Sequence, residues 1–164
     1  MRDSRLTEQR NPRSSGIDAL DPLGIVDLIN AEDCLIAPAV GEQREAIARA
    51  MELAESAFRA GGRLIYVGAG TSGRLGVLDA AEMPPTFGTD PGMVRGIIAG
   101  GYEALVRAQE GAEDQSEDGG VAIDEIEVGE QDFVLGIATS GTTPYVHAAL
   151  ARARERGAKT GFLL

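Results

Sequence analysis

The chain is poor in the residues from which metal, redox and nucleic-acid chemistry is built. It holds one cysteine, Cys34, and one histidine, His147. A lone cysteine excludes an internal disulfide and any cysteine-based metal site, and a single histidine leaves zinc with almost no ligands. Cys34 reads instead as a small buried hydrophobe, and His147 as a residue on a helix face. Tryptophan is absent and aromatics make up 4% of the 164 residues. The core is therefore expected to consist of Ala, Val, Leu and Ile, as in helix-on-sheet layers. No apolar run approaches a transmembrane length, and the polar start "MRDSRLTEQRNPRSSG" has no apolar signal segment. The expected place is the cytoplasm.

Basic residues are also few, 15 against 26 acids, for a net charge of −11. That field repels nucleic-acid backbones and anionic membranes, so neither is an expected partner. Ten of the acids lie in the stretch from Glu110 to Asp132, which reads as a solvated loop.

What is present is an alternation. After an arm of about 20 residues without periodicity, "DPLGIVDLIN" opens a helix with Asp21 as N-cap and Pro22 at the first helical position. A second helix is expected from about Glu42 to Ala60, with Ile47, Ala50, Met51, Ala54, Ala57 and Phe58 on one face and Gly61-Gly62 as its stop. Then "RLIYVG", "MVRGIIAGG", "FVLGIATSG" and "KTGFLL" read as strands. The helices between them are "GRLGVLDAAEM", ended by Pro84-Pro85, "YEALVRAQEGAE", and "PYVHAALARARERG" behind Thr143. Strands apolar on both faces and separated by helices predict a parallel sheet covered on both sides.

Two loops at the ends of these strands carry the chemistry. Gly68-Ala69-Gly70-Thr71-Ser72-Gly73 fits the G-x-G-x-x-G pattern of dinucleotide sites. That use also requires an acid at the end of the next strand to hold a ribose. Ala99, Gly100 and Gly101 stand there instead, so the ribose ligand is missing. Gly70, Thr71, Ser72 and Gly73 rather offer backbone N–H groups, hydroxyls and a helix dipole to a phosphate. Ser140, Gly141 and Thr143, ahead of a proline-started helix, offer a second such set. Either loop alone reads as helix capping. Together they point to one compact phosphate monoester held by neutral donors.

Five segments, "TEQRNP", "GGRLIYVGAGTSGRLGVLDAAEMPPTFG", "GIIAGG", "EGAED" and "SGTTPYV", taken in order resemble the N-acetylmuramic acid 6-phosphate etherases. These are SIS-domain proteins related to glucokinase regulatory protein. The resemblance implies a three-layer Rossmann-like α/β SIS domain over 42–164, preceded by an arm and helix over 1–41, in a homodimer. It implies lyase chemistry without cofactor or metal: loss of D-lactate from a phosphorylated amino sugar by elimination and hydration, in cell-wall recycling. Glu82 in "DAAEMPP" and Glu113 in "EGAED" match the catalytic positions, with Glu82 assigned as acid and Glu113 as base. Asp79, three residues before Glu82, is placed to favour a protonated Glu82 by like-charge repulsion. Arg74 suits a phosphate contact and a solvent salt bridge equally well.

The resemblance also carries two departures. Etherases have Arg where Thr142 stands, and they run to about twice this length, so a C-terminal part is expected to be missing. Two other readings share these features: an aldose–ketose phosphosugar isomerase, and a sugar-phosphate-binding regulatory domain without turnover.

Overall fold

The computed structural model describes Thr7 and residues 9–164. The chain divides into two compact units, Met1–Ala50 and Met51–Leu164, with the border falling inside a helix.

In the first unit the described part of the arm folds locally. It forms short 3₁₀ turns at Pro12–Ser14 and Ile17–Ala19. It also has local partners: Asn11 Nδ2 donates to Glu32 at 2.7 Å and the Arg13 guanidinium pairs with the same carboxylate. Most of "TEQRNP" is described, but Glu8 lies outside the described residues. Helix α1, Pro22–Asp33, starts as expected, with the Asp21 carboxylate accepting from Gly24 N–H at 2.8 Å. Helix α2, Ile36–Glu42, was not expected from the sequence, and α3, Arg44–Arg59, begins two residues later than the apolar periodicity suggests. Cys34 is exposed rather than buried. It follows α1 directly, and neither α1 nor α2 buries a residue.

The second unit is the parallel α/β layer. Strands β1 (Leu64–Gly68), β2 (Val94–Ile98), β3 (Phe133–Ile137) and β4 (Lys159–Leu163) form one sheet in the order β2-β1-β3-β4, all pairs parallel. Helix α4, Gly70–Phe87, covers β1 and β2 on one face. Helices α6, Ser116–Glu125, and α7, Pro144–Glu155, pack on each other and cover the other face. There Ile65, Val67, Val134, Ile123, Val146 and Leu150 form the core. It is mainly aliphatic, as the composition requires, and Tyr145 is buried within it.

Two elements differ from the sequence reading. Helix α4 does not stop at Pro84-Pro85 but continues to Phe87, closed by Gly88 N–H donating to the Pro84 carbonyl at 2.9 Å. Proline forbids the bond back to the preceding turn but not the helical φ, and one further turn survives. The second crossover is not "YEALVRAQEGAE", which yields only the short α5, Glu103–Val106. It is α6, within the acidic run read as loop. Ile123 and, just beyond the helix, Val128 are buried, while the acids of that run are exposed except for Asp124, which is partly covered, and Asp132, which is buried.

Asp124 on α6 receives both Arg152 and Arg156 of α7, and these two guanidinium groups hold its carboxyl below the usual range. Gly119 is what lets the helices meet. A β-carbon there would run into the carbonyl oxygen of Tyr145. Gly119→Ala is therefore expected to lower stability by about 1–3 kcal/mol, read as an earlier urea midpoint with an unchanged slope.

Candidate functional site

Because Gly68 is in register with both Ile98 and Ile137, β1, β2 and β3 end at one level. Their following loops emerge side by side at the carboxyl edge of the sheet, where open α/β folds bind ligands.

The central loop turns sharply into α4. Gly70 has φ +53°, in the left-handed region, and Gly73 lies so close to β1 that a β-carbon would stand 2.7 Å from Ile98 Cγ1 and 2.8 Å from the Gly68 carbonyl oxygen. Ala69 is the N-cap and supplies no side-chain cap. The N–H groups of the first turn thus keep their donor capacity. The hydroxyls of Thr71 and Ser72 make no hydrogen bond among the described residues, so neither is spent on capping.

The loop after β3 is ordered by its own contacts. Ser140 Oγ and Thr142 Oγ1 are 3.0 Å apart, and Thr142 N–H donates to Ser140 Oγ at 3.3 Å. Gly141 has φ +67° and donates its N–H to the Ala138 carbonyl at 3.0 Å. Thr143 precedes α7 as expected, yet its side chain makes no capping bond. The sequence reading missed the residue that fastens this loop. His147 Nε2 donates to the Gly141 carbonyl at 2.7 Å, with its ring edge-on to Phe162 at 5.2 Å. Its position four residues after Thr143, on the first turn of the helix, was the available signal.

The loop after β2 brings in Glu113. It sits in a 3₁₀ turn, Ala112–Asp114, entered through Gly111 at φ +74°. It lines a crevice of about 170 Å³ together with Ala69, Gly70, Arg74, Ala99 and Gln109. One glutamate therefore stands beside the glycine turn.

Glu82 does not join it. Twelve residues separate it from Gly70 along α4, a rise of about 18 Å. It is exposed on the helix face that also shows Leu75 and Leu78, each 57% exposed, since positions three and four apart share a face. Asp79 is occupied elsewhere. It accepts a hydrogen bond from the Tyr66 hydroxyl, and burial, with that carboxylate beside it, raises the phenol well above its ordinary range. Arg74 makes neither a solvent salt bridge nor any other ion pair among the described residues; its Nε donates to the Leu105 carbonyl at 3.0 Å. Among the described residues no cluster of His, Cys, Asp or Glu could hold a metal ion, and no helix is long and apolar enough to cross a membrane.

Known proteins resemble this arrangement at two levels. A phosphoheptose isomerase from Neisseria gonorrhoeae shares the fold, with a TM-score of 0.57 at 17% identity over 84% of this chain and 74% of that one. Sequence likeness is much closer to curated N-acetylmuramic acid 6-phosphate etherases. That of Synechococcus elongatus is 60% identical over 158 residues, 96% of this chain and 52% of the relative. That of Rippkaea orientalis is 56% identical over 155 residues, 94% of this chain and 51% of the relative. The chain spans about half the length of the curated relatives it matches. The profile of the glucokinase regulatory protein N-terminal SIS domain matches residues 45–154, two thirds of the chain, and the chain belongs to this SIS-domain family.

Proposed function

We propose that the chain carries the catalytic crevice of an N-acetylmuramic acid 6-phosphate etherase. The observation that carries the reading is the meeting of Glu113 with the glycine turn at Gly70 in one crevice. A carboxylate beside an anion-binding helix start suits proton chemistry on a sugar phosphate. The phosphate is taken by the α4 N-terminus with Gly70, Thr71, Ser72 and Gly73, and by Ser140, Gly141 and Thr143 alongside. Neutral donors hold a dianion without a basic patch, which fits a chain of net charge −11.

In the open-chain sugar the C1 aldehyde acidifies the proton on C2. Glu113 removes it, the C3–oxygen bond breaks, and Glu82 protonates the departing lactyl oxygen, so D-lactate leaves as a neutral hydroxyl. Water then adds its hydroxide part at C3 while a proton returns to C2, giving N-acetylglucosamine 6-phosphate.

The 18 Å between Glu82 and the helix start, about twelve residues' rise, is too long for one sugar to bridge. We therefore assign the acid to the neighbouring subunit of a homodimer. The exposed Leu75 and Leu78 beside Glu82 support this, because an apolar helix face of that kind seeks a partner. The reaction needs no cofactor or metal, and its place is the cytoplasm, in amino-sugar catabolism and cell-wall recycling.

The test is incubation with N-acetylmuramic acid 6-phosphate and enzymatic measurement of D-lactate. Release of lactate together with N-acetylglucosamine 6-phosphate is the expected result. Binding without lactate would replace the etherase with a sugar-phosphate-binding regulatory domain. Aldose–ketose interconversion without lactate would replace it with an isomerase.

A further inference from the structure

We propose that Arg74 reads the second anion of the substrate, a carboxylate borne next to the carbons on which Glu113 acts, while the hydroxyl loops read the phosphate. The proposal rests on the etherase reading and names the residue that selects for the lactyl group.

Arg74 stands one turn into α4, half-buried, and lines the same crevice as Gly70 and Glu113. Its Nε is spent on the Leu105 carbonyl at 3.0 Å. That bond fixes the guanidinium plane and leaves the two terminal nitrogens as donors. Arg13, Arg59, Arg63, Arg152 and Arg156 each find a carboxylate, whereas Arg95 and Arg107, which lie outside the crevice, do not among the described residues. Arg74 has none among the described residues, although Glu110 and Glu113 line the same crevice. An oriented guanidinium with an open edge matches a planar carboxylate, which it binds through two parallel bonds.

The layout separates the two anions. The hydroxyls of Ser140 and Thr143 follow β3, on one side of β1, whereas Arg74 is anchored to α5, which follows β2 on the other. A sugar lying across the edge with its phosphate toward the hydroxyl loops brings its C3 substituent to the side of Arg74 and Glu113.

The roles are separated by calorimetric titration of the full chain carrying Glu82→Gln, which on the etherase reading does not turn over, with and without a change at Arg74. The ligands are N-acetylmuramic acid 6-phosphate and N-acetylglucosamine 6-phosphate, of which the second keeps the phosphate and lacks the carboxylate. Arg74→Gln is expected to weaken the first ligand about 10- to 100-fold, the worth of a charge-assisted pair, and to leave the second within about twofold. Arg74→Lys, a charge without the planar fork, is expected to fall between. Equal weakening of both ligands would make Arg74 a phosphate or folding residue and overturn the proposal, as would no effect on either. If the unaltered chain releases lactate but Arg74→Gln spares the lactyl ligand, the Arg74 assignment alone falls. If the unaltered chain neither distinguishes the two ligands nor releases lactate, the etherase reading falls with it.

Discussion

Glu82→Gln and Glu113→Gln chains, each nearly inactive alone, are expected to regain about a quarter of the wild-type lactate release when refolded together as a two-fold dimer. The fraction follows from geometry. If every site takes its acid from one subunit and its base from the other, mixed dimers make up half of the population. Each mixed dimer has one site with both carboxylates intact and one with neither. Each single variant should lose roughly 10²- to 10⁴-fold, the usual contribution of a positioned proton-transfer group, so a recovery to a quarter stands far above the background. The motive is the long stretch of α4 between Glu82 and Gly70, and the exposure of Glu82 beside Leu75 and Leu78. A mixture that stays as inactive as its components would place both carboxylates within one chain, or deprive one of them of its role.

The architecture was legible because its signals are local. Apolar runs bounded by glycine marked all four strands, and Asp21-Pro22 and Thr143-Pro144 marked two helix starts where the structure has them. The misreadings came where tertiary contact overrides local pattern. The acidic run was read by charge, yet α6 forms there because Ile123 has a core to enter and Gly119 permits the approach to Tyr145. Cys34 was read by residue type, but the helices around it bury nothing.

The candidate site divides in the same way. The two hydroxyl loops were visible as strings of Gly, Ser and Thr following strands, and the structure sets them side by side. Glu113 came to notice through a resemblance to a family, because nothing in its own neighbourhood marks it off from the other acids. Residues that act across sequence distance left no trace. The bond from Arg74 to Leu105 spans 31 positions, and Asp79 was matched to its helical neighbour Glu82 when its partner is Tyr66 on the strand beneath.

Replacing Asp132 is expected to produce the largest loss of stability, although it lies at the sheet end away from the crevice. Asp132 is 5% exposed. One carboxylate oxygen accepts from Arg63 N–H at 2.9 Å and Arg63 Nε at 3.1 Å, and the other from Arg63 Nη2 at 2.7 Å and Gly129 N–H at 3.0 Å. The guanidinium also donates to the carbonyls of Ile126 and Glu127. One pair thus joins the entrance of β1 to the turn that leads into β3, the two central strands. Asp132→Ala strands a half-buried guanidinium and two N–H groups, which costs about 3–5 kcal/mol, a large share of the 5–15 kcal/mol typical of a domain. Asp132→Asn, with the same shape and no charge, should be milder.

Burial opposes ionisation of Asp132, but the hydrogen bonds and charge of Arg63, with the N–H groups of Gly129 and Arg63, outweigh it and hold the carboxyl below its usual range. A carboxyl lowered on folding contributes stability that is complete above its unfolded value near 3.9 and is lost as the pH falls through the lower folded value. The melting temperatures of the wild-type and Asp132→Asn chains should therefore lie well apart at neutral pH and draw together as the pH falls below the unfolded carboxyl value near 3.9. They should converge only below the lower folded value of Asp132, where both side chains are uncharged. A gap that stays constant across that range would mean that shape and hydrogen bonding, not charge, make Asp132 the fastening point of the central strands.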